Sequence, residues 1–119
     1  MKRFLSLLVI GGAVALVAAT KGIDENLAKK GAALFKSKGC NACHTVGKGK
    51  LVGPDLKGVT ERRKPGWIIA MITNPDSMLK YDPIAKQLLK KYGVPMTNQN
   101  VSKEEAKAIL EYLKRESAK

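Results

Sequence analysis

Residues 40–44 read Cys-Asn-Ala-Cys-His, a C-x-x-C-H pattern that uses both cysteines and the only histidine of the 119-residue chain. Two thiols at this spacing, followed at once by an imidazole, are the attachment signature of a c-type haem. The thiols add to the two vinyl groups of one porphyrin, and the imidazole ligates its iron from one side. A chain committed to that cofactor has to fold around a flat, largely apolar disc.

Three other chemistries compete for the same residues. Redox-active C-x-x-C dithiols adjoin a strand–helix–strand pattern, and no alternating or β-branched run follows His44. A closed zinc site takes four N or S ligands, whereas this chain offers only Cys40, Cys43 and His44. A disulfide across two intervening residues closes too small a loop to stabilise much. The expected cofactor is therefore one haem c, covalent through Cys40 and Cys43, with His44 on the metal.

The first nineteen residues stand apart from the rest. Met1-Lys2-Arg3 is a basic start, Phe4 to Val17 is apolar except for Ser6 and Gly11-Gly12, and Val17-Ala18-Ala19 supplies small residues for a cleavage site. This predicts a secretory signal peptide over residues 1–19, followed by one domain over residues 20–119. The alternative, an uncleaved anchor, has fewer apolar residues than the ~20 that a spanning helix needs.

Removing residues 1–19 takes away Lys2 and Arg3 and leaves a formal +10 of the original +12. Such a balance points to acidic partners. Nucleic acid is not among them: the lysines are scattered, Arg62-Arg63-Lys64 is the one short cluster, and no nucleic-acid-binding motif is present. Only five aromatics remain in that domain (Phe35, Trp67, Tyr81, Tyr92, Tyr112). A domain of this size with so thin a core needs a staple, and a covalent porphyrin supplies one.

Periodicity and punctuation predict about four helices and no strand. The first, residues 24–38, carries Leu27, Gly31, Leu34 and Phe35 on one face and ends at Gly39. A short second helix over residues 67–73 stops at Asn74, before Pro75. The third has Asp82 as N-cap, Pro83 at its first position and Gly93 past its end. The fourth opens with the capping box Ser102-Lys103-Glu104-Glu105 and turns Ala106, Ile109, Leu110 and Leu113 inward. The fold class is all-α, wrapped around one haem.

With no second histidine, the far side of the iron falls to a methionine: Met71, Met78 or Met96. Met71 lies in the apolar run 67–72 and reads as helix packing, and Met78 follows Pro75 in a loop. Met96 lies in irregular, proline-stiffened chain, Gly93-Val94-Pro95-Met96-Thr97-Asn98.

Over nearly all of residues 20–119 the sequence resembles the class I monohaem cytochromes c. The resemblance rests on Gly31 and Phe35 in the first helix, residues 40–44, Gly53-Pro54-Asp55-Leu56, Val94-Pro95-Met96 and the closing Ala108-Ile109-Leu110-Glu111-Tyr112-Leu113. It implies that the Pro54 carbonyl accepts a hydrogen bond from the His44 imidazole, and that His44 and Met96 are the axial ligands. It also implies that the first and last helices cross at Gly31 and Phe35 against Ile109 and Tyr112. Arg62 and Trp67 look like groups near the haem propionates.

On that resemblance the expected function is a one-electron carrier rather than an enzyme. It would be a periplasmic or otherwise extracytoplasmic monomer, on the membrane only if residues 1–19 are retained. It would pass electrons to acidic faces of redox proteins such as a terminal oxidase or reductase, steered by Lys36, Lys38, Lys48, Lys57 and Lys80 about the haem edge. Two alternatives remain: a five-coordinate haem that binds a small ligand or peroxide, and a haem subunit of a larger redox complex.

Overall fold

A computed structural model describes residues 22–119, so the segment read as a signal peptide lies outside the described residues. These residues form six α-helices and one 3₁₀ turn, with no strand among them: α1 Glu25–Ser37, the turn Cys40–Ala42, α2 Val59–Arg62, α3 Pro65–Thr73, α4 Pro75–Tyr81, α5 Pro83–Tyr92 and α6 Lys103–Ser117.

The helix ends follow local chemistry. Asp24 caps α1 by accepting the Leu27 N–H at 3.0 Å. Asp82 caps α5 through the Ala85 N–H at 2.9 Å, with Pro83 next and Gly93 in the left-handed region at φ 78° after the last turn. The α6 capping box closes both ways, Glu105 N–H to the Ser102 hydroxyl at 3.1 Å and Ser102 N–H to the Glu105 carboxylate at 3.0 Å. Each such device removes an orphaned donor that a helix start otherwise leaves unpaired.

Two helices exceed the expected four. Asn74 both ends α3 and caps α4, its side chain accepting the Ser77 N–H at 3.3 Å. A proline that stops one helix is equally suited to the first position of the next, so Pro75 starts α4, and Met78 sits on a helix rather than in a loop. The other addition, α2, is a single turn after Gly58, too short to show a period.

The core lies where α1 crosses α6. Gly31 makes the crossing possible: a β-carbon there would overlap the Ala108 carbonyl oxygen and lie 2.9 Å from the Tyr112 β-carbon. Beside it Phe35 and Tyr112 pack as a tilted ring pair, centroids 5.4 Å apart. Ile68 and Ile72 from α3 and Ile109 and Leu113 from α6 complete the cluster with Phe35, Val59, Val101 and Ala106. A fully buried side chain of this kind stabilises by about 1.5–3 kcal/mol. Of the five aromatics only Phe35 is buried, and Tyr81 is 69 % exposed. The protein part of the core is indeed small.

Candidate haem site

A cavity of about 750 Å³ opens beside this core, within the roughly 300–1,000 Å³ of ligand sites generally. Phe35, Ile109 and Leu113 of the core form its back, and Trp67, Ile68, Met71 and Ile72 of α3 form one wall. Leu79 and Leu88 add to the lining from α4 and α5, while Cys40, Cys43, His44, Pro54 and Met96 all face the same space. The residues singled out from sequence are thereby brought together. Of the three methionines, Met71 and Met96 line the cavity and Met78 does not.

The cysteines reach the cavity on the 3₁₀ turn. Gly39 enters it with φ 75°, and the His44 N–H donates to the Cys40 carbonyl at 2.9 Å. Both thiols are free, Cys40 half-buried and Cys43 exposed. Burial pushes the Cys40 thiol above its ordinary pKa, its own backbone hydrogen bond opposes this, and the neighbouring Cys43 adds to the rise. Two free thiols beside an imidazole, on the wall of an apolar cavity of this size, fit a covalently held porphyrin.

His44 is held from one side. Its Nδ1 lies 2.9 Å from the Pro54 carbonyl oxygen. A carbonyl only accepts, so Nδ1 carries the proton and donates, leaving the Nε2 lone pair for a metal. Burial pulls the imidazole pKa below its ordinary value, partly offset by the Pro54 hydrogen bond. Burial thus favours the neutral, ligating form over the cation, and the Pro54 bond fixes which nitrogen is left bare. The carbonyl comes this close because residue 53 is glycine: a β-carbon there would lie 2.7 Å from Cε1 and 3.0 Å from Nδ1 of His44. The Gly53 N–H donates to the Cys43 carbonyl at 2.8 Å and the Leu56 N–H to that of Thr45 at 2.8 Å. These bonds fasten the Pro54 segment back onto the haem motif.

Some expectations do not survive in detail. The Trp67 indole N–H donates to Asp82 Oδ2 at 2.9 Å, on the same carboxylate that caps α5. This indole is therefore spent on joining α3 to α5 rather than on a propionate. Trp67 and then the Ala85 N–H hold the Asp82 carboxyl below the usual carboxylate range. Arg62 does line the cavity, where two of its five guanidinium N–H groups donate to the carbonyls of Lys57 at 2.8 Å and Asp55 at 3.3 Å.

The lysines at the cavity are Lys50, Lys57 and Lys91, so only Lys57 of the five expected lies there. Lys38 is turned away, donating to the Asn100 carbonyl at 3.0 Å and pairing with Glu105 at 3.7 Å, and Lys80 lies over the Tyr81 ring at 5.3 Å. Lys50 and Lys91 both lie against Tyr92, at 5.6 and 5.5 Å from its ring centroid. From residue 83 to residue 103 the chain has no acidic side chain, while Glu104, Glu105, Glu111 and Glu116 all belong to α6.

Comparisons with known proteins agree on one family. The profile described as "Cytochrome c" matches residues 28–116. The chain is 36% identical over 118 residues to cytochrome c-551 of Stutzerimonas stutzeri, covering 95% of this chain and 96% of that one. Among solved structures, cytochrome c from Rhodothermus marinus is 42% identical with a TM-score of 0.76, covering 80% of each chain. An engineered cytochrome c from Rhodothermus marinus, bound to a carbene intermediate, is 40% identical with a TM-score of 0.73 and covers 82% of each chain.

Proposed function

The chain belongs to the cytochrome c family, whose members carry a covalent haem c for electron transfer, and from that premise we propose that His44 and Met96 ligate the iron of a diffusible, exported one-electron carrier. The bound haem supplies an iron that accepts and releases one electron, and His/Met ligation raises its reduction potential. Every other part of the function falls to the protein. Cys40 and Cys43 tether the group, and the Pro54 carbonyl fixes the proton and ring plane of His44. The apolar walls from α1, α3, α5 and α6 exclude water.

The observation that carries the reading is His44 with Nδ1 engaged by Pro54 at 2.9 Å. Its remaining nitrogen is left for metal on a cavity that Met96 also lines. Met96 is the better of the two lining methionines because residues 93–101 are irregular chain, free to bring sulfur inward. Met71, held within α3, is fixed by helix geometry. Export rests on the leader pattern of residues 1–19. The match to cytochrome c-551 spans 95% of the chain and so runs into that segment. The partners are redox proteins with acidic docking faces, complementary to Lys50, Lys57 and Lys91.

The test is spectroscopic. Met96→Ala should abolish the near-infrared sulfur-to-iron charge-transfer band and admit cyanide or carbon monoxide, while Met71→Ala and Met78→Ala keep the band. Loss of the band in Met71→Ala or Met78→Ala, with Met96→Ala unchanged, would refute the assignment. The carbene-bound engineered relative favours a second reading, in which displacement of Met96 opens the same cavity to a small ligand. Binding of carbon monoxide by the wild-type ferrous protein at neutral pH would support that reading.

A further inference from the structure

We propose that Asp55 is a positioning residue for the His44 imidazole, holding the Pro54 carbonyl at the distance and angle that the ligand requires. The proposal rests on the reading of His44 as an iron ligand. Its basis is one carboxylate that accepts three backbone N–H groups. Oδ1 takes those of Gly47 at 2.7 Å and Lys57 at 2.9 Å, and Oδ2 takes that of Gly49 at 2.8 Å. Gly47 and Gly49 lie on the segment that leaves His44, and Lys57 lies on the segment that leaves Pro54. Asp55 thus ties together both arms of the loop whose closure is the His44–Pro54 hydrogen bond.

The Gly53–Cys43 and Leu56–Thr45 backbone bonds hold the Pro54 arm of the loop, and Asp55 adds the tie that gathers the Gly47–Gly49 arm to it. Gly47 and Gly49 have φ of 98° and 89°, conformations that glycine adopts readily but does not enforce. Pro54 has no N–H of its own to anchor it, so its carbonyl is aimed only by its neighbours. One side is already in contact, since a β-carbon at Gly53 would meet the His44 ring at 2.7 Å. At 2.9 Å the His44–Pro54 bond already has its ordinary length, so a relaxing loop would lengthen it. The converging N–H groups, Lys57 first and Gly47 next, also keep the Asp55 carboxyl below the ordinary carboxylate range, as charge-assisted bonds do.

An imidazole donating to a well-aimed carbonyl is a stronger ligand through its other nitrogen, and loss of such support typically costs 10–100-fold in affinity or activity at metal sites. Stronger donation favours the ferric state, so loosening the loop should raise the reduction potential. Removing the carboxylate's charge raises the potential too. Solvent exchange of the His44 Nδ1 proton separates the two causes, because it reports the hydrogen bond and not the charge.

The experiment uses the full-length ferric holoprotein as wild type, Asp55→Ala and Asp55→Asn. The Nδ1 proton exchange is followed by NMR and the potential by redox titration. Exchange should quicken on the order of tenfold in Asp55→Ala. It should quicken less in Asp55→Asn, which keeps one oxygen for Gly47 and Lys57. The potential should rise further in Ala than in Asn, although both lose the same charge. Wild-type exchange in both variants, with equal rises in potential, would overturn the proposal and leave Asp55 acting only through its charge. Where Asp55→Ala fails to fold, Asp55→Asn decides alone: faster exchange than wild type supports the proposal, and an unchanged rate overturns it. A wild-type His44 resonance without hyperfine shift would overturn the ligand reading and this proposal with it. A shifted resonance whose exchange ignores Asp55 overturns the proposal alone.

Discussion

Gly31→Ala sets two familiar effects against each other at the α1–α6 crossing. In an exposed helix the change would stabilise, because alanine exceeds glycine in helix propensity by about 1 kcal/mol. Here the new methyl would overlap the Ala108 carbonyl oxygen and approach the Tyr112 β-carbon to 2.9 Å. Neither is the far end of a flexible side chain, so the helices must part. Overpacking of this kind costs about 1–3 kcal/mol, and an obstruction by main chain belongs at the upper end of that range. The net expectation is a loss of about 2 kcal/mol. At roughly 4–8 °C per kcal/mol for a domain of this size, the melting temperature should fall by about 8–16 °C. Thermal unfolding of the holoprotein, followed by circular dichroism at 222 nm, reads this directly. Gly31→Val should fall further, and the Phe35–Tyr112 ring pair should loosen in both. A melting temperature at or above that of wild type would refute the claim that the crossing is closed by main-chain contact.

Asp82 predicts an acid dependence of defined sign. Its folded pKa is depressed by Trp67 and the Ala85 N–H, so its stabilising charge is fully present above the unfolded value near 3.9 and is lost as the pH falls through the folded one. Asp82→Asn should be less stable than wild type at pH 5–7, with the gap in melting temperature closing below about pH 4; a gap that widens on acidification would contradict this. For the cavity lysines, reduction of hexacyanoferrate(III) by the ferrous protein should slow several-fold at low salt in Lys50→Glu and Lys91→Glu and less in Lys107→Glu. The differences should fade as the Debye length shortens to ~8 Å at physiological ionic strength, and equal sensitivity at all three positions would show that the cavity-side charge does not steer approach.

What sequence reveals here is what neighbours in the chain decide among themselves. The C-x-x-C-H run, the Asp82-Pro83 start, the Gly93 stop and the Ser102–Glu105 box are all local, and all appear where the pattern puts them. Asn74-Pro75 is local but two-faced, since the same pair ends one helix and begins another, and length alone does not tell which. The interactions that refine the site are of another kind. Asp55 meets Gly47 and Gly49 across a loop, and Trp67 meets Asp82 across two helix starts. No periodicity records such meetings. Lys50 and Lys91 sit far apart in sequence, and their shared position on Tyr92 appears only once the chain is folded. Gly53 carried a usable signal: a glycine directly before the proline that must touch an imidazole is the residue that lets it.

The close crossing at Gly31 also orders events in time. α6 is both the partner that α1 needs and, through Ile109 and Leu113, the back of the haem cavity. A chain made from its N-terminus presents Cys40 and Cys43 long before it presents α6. Docking the last helix closes the largest loop in the molecule, and such long-range closure is slow. Until then Ile109 and Leu113 are missing from the back of the cavity, and the thiols stand beside an open trough. A rigid disc attached in that interval would need nothing pried apart, and the final helix would then shut the molecule over a cofactor already in place.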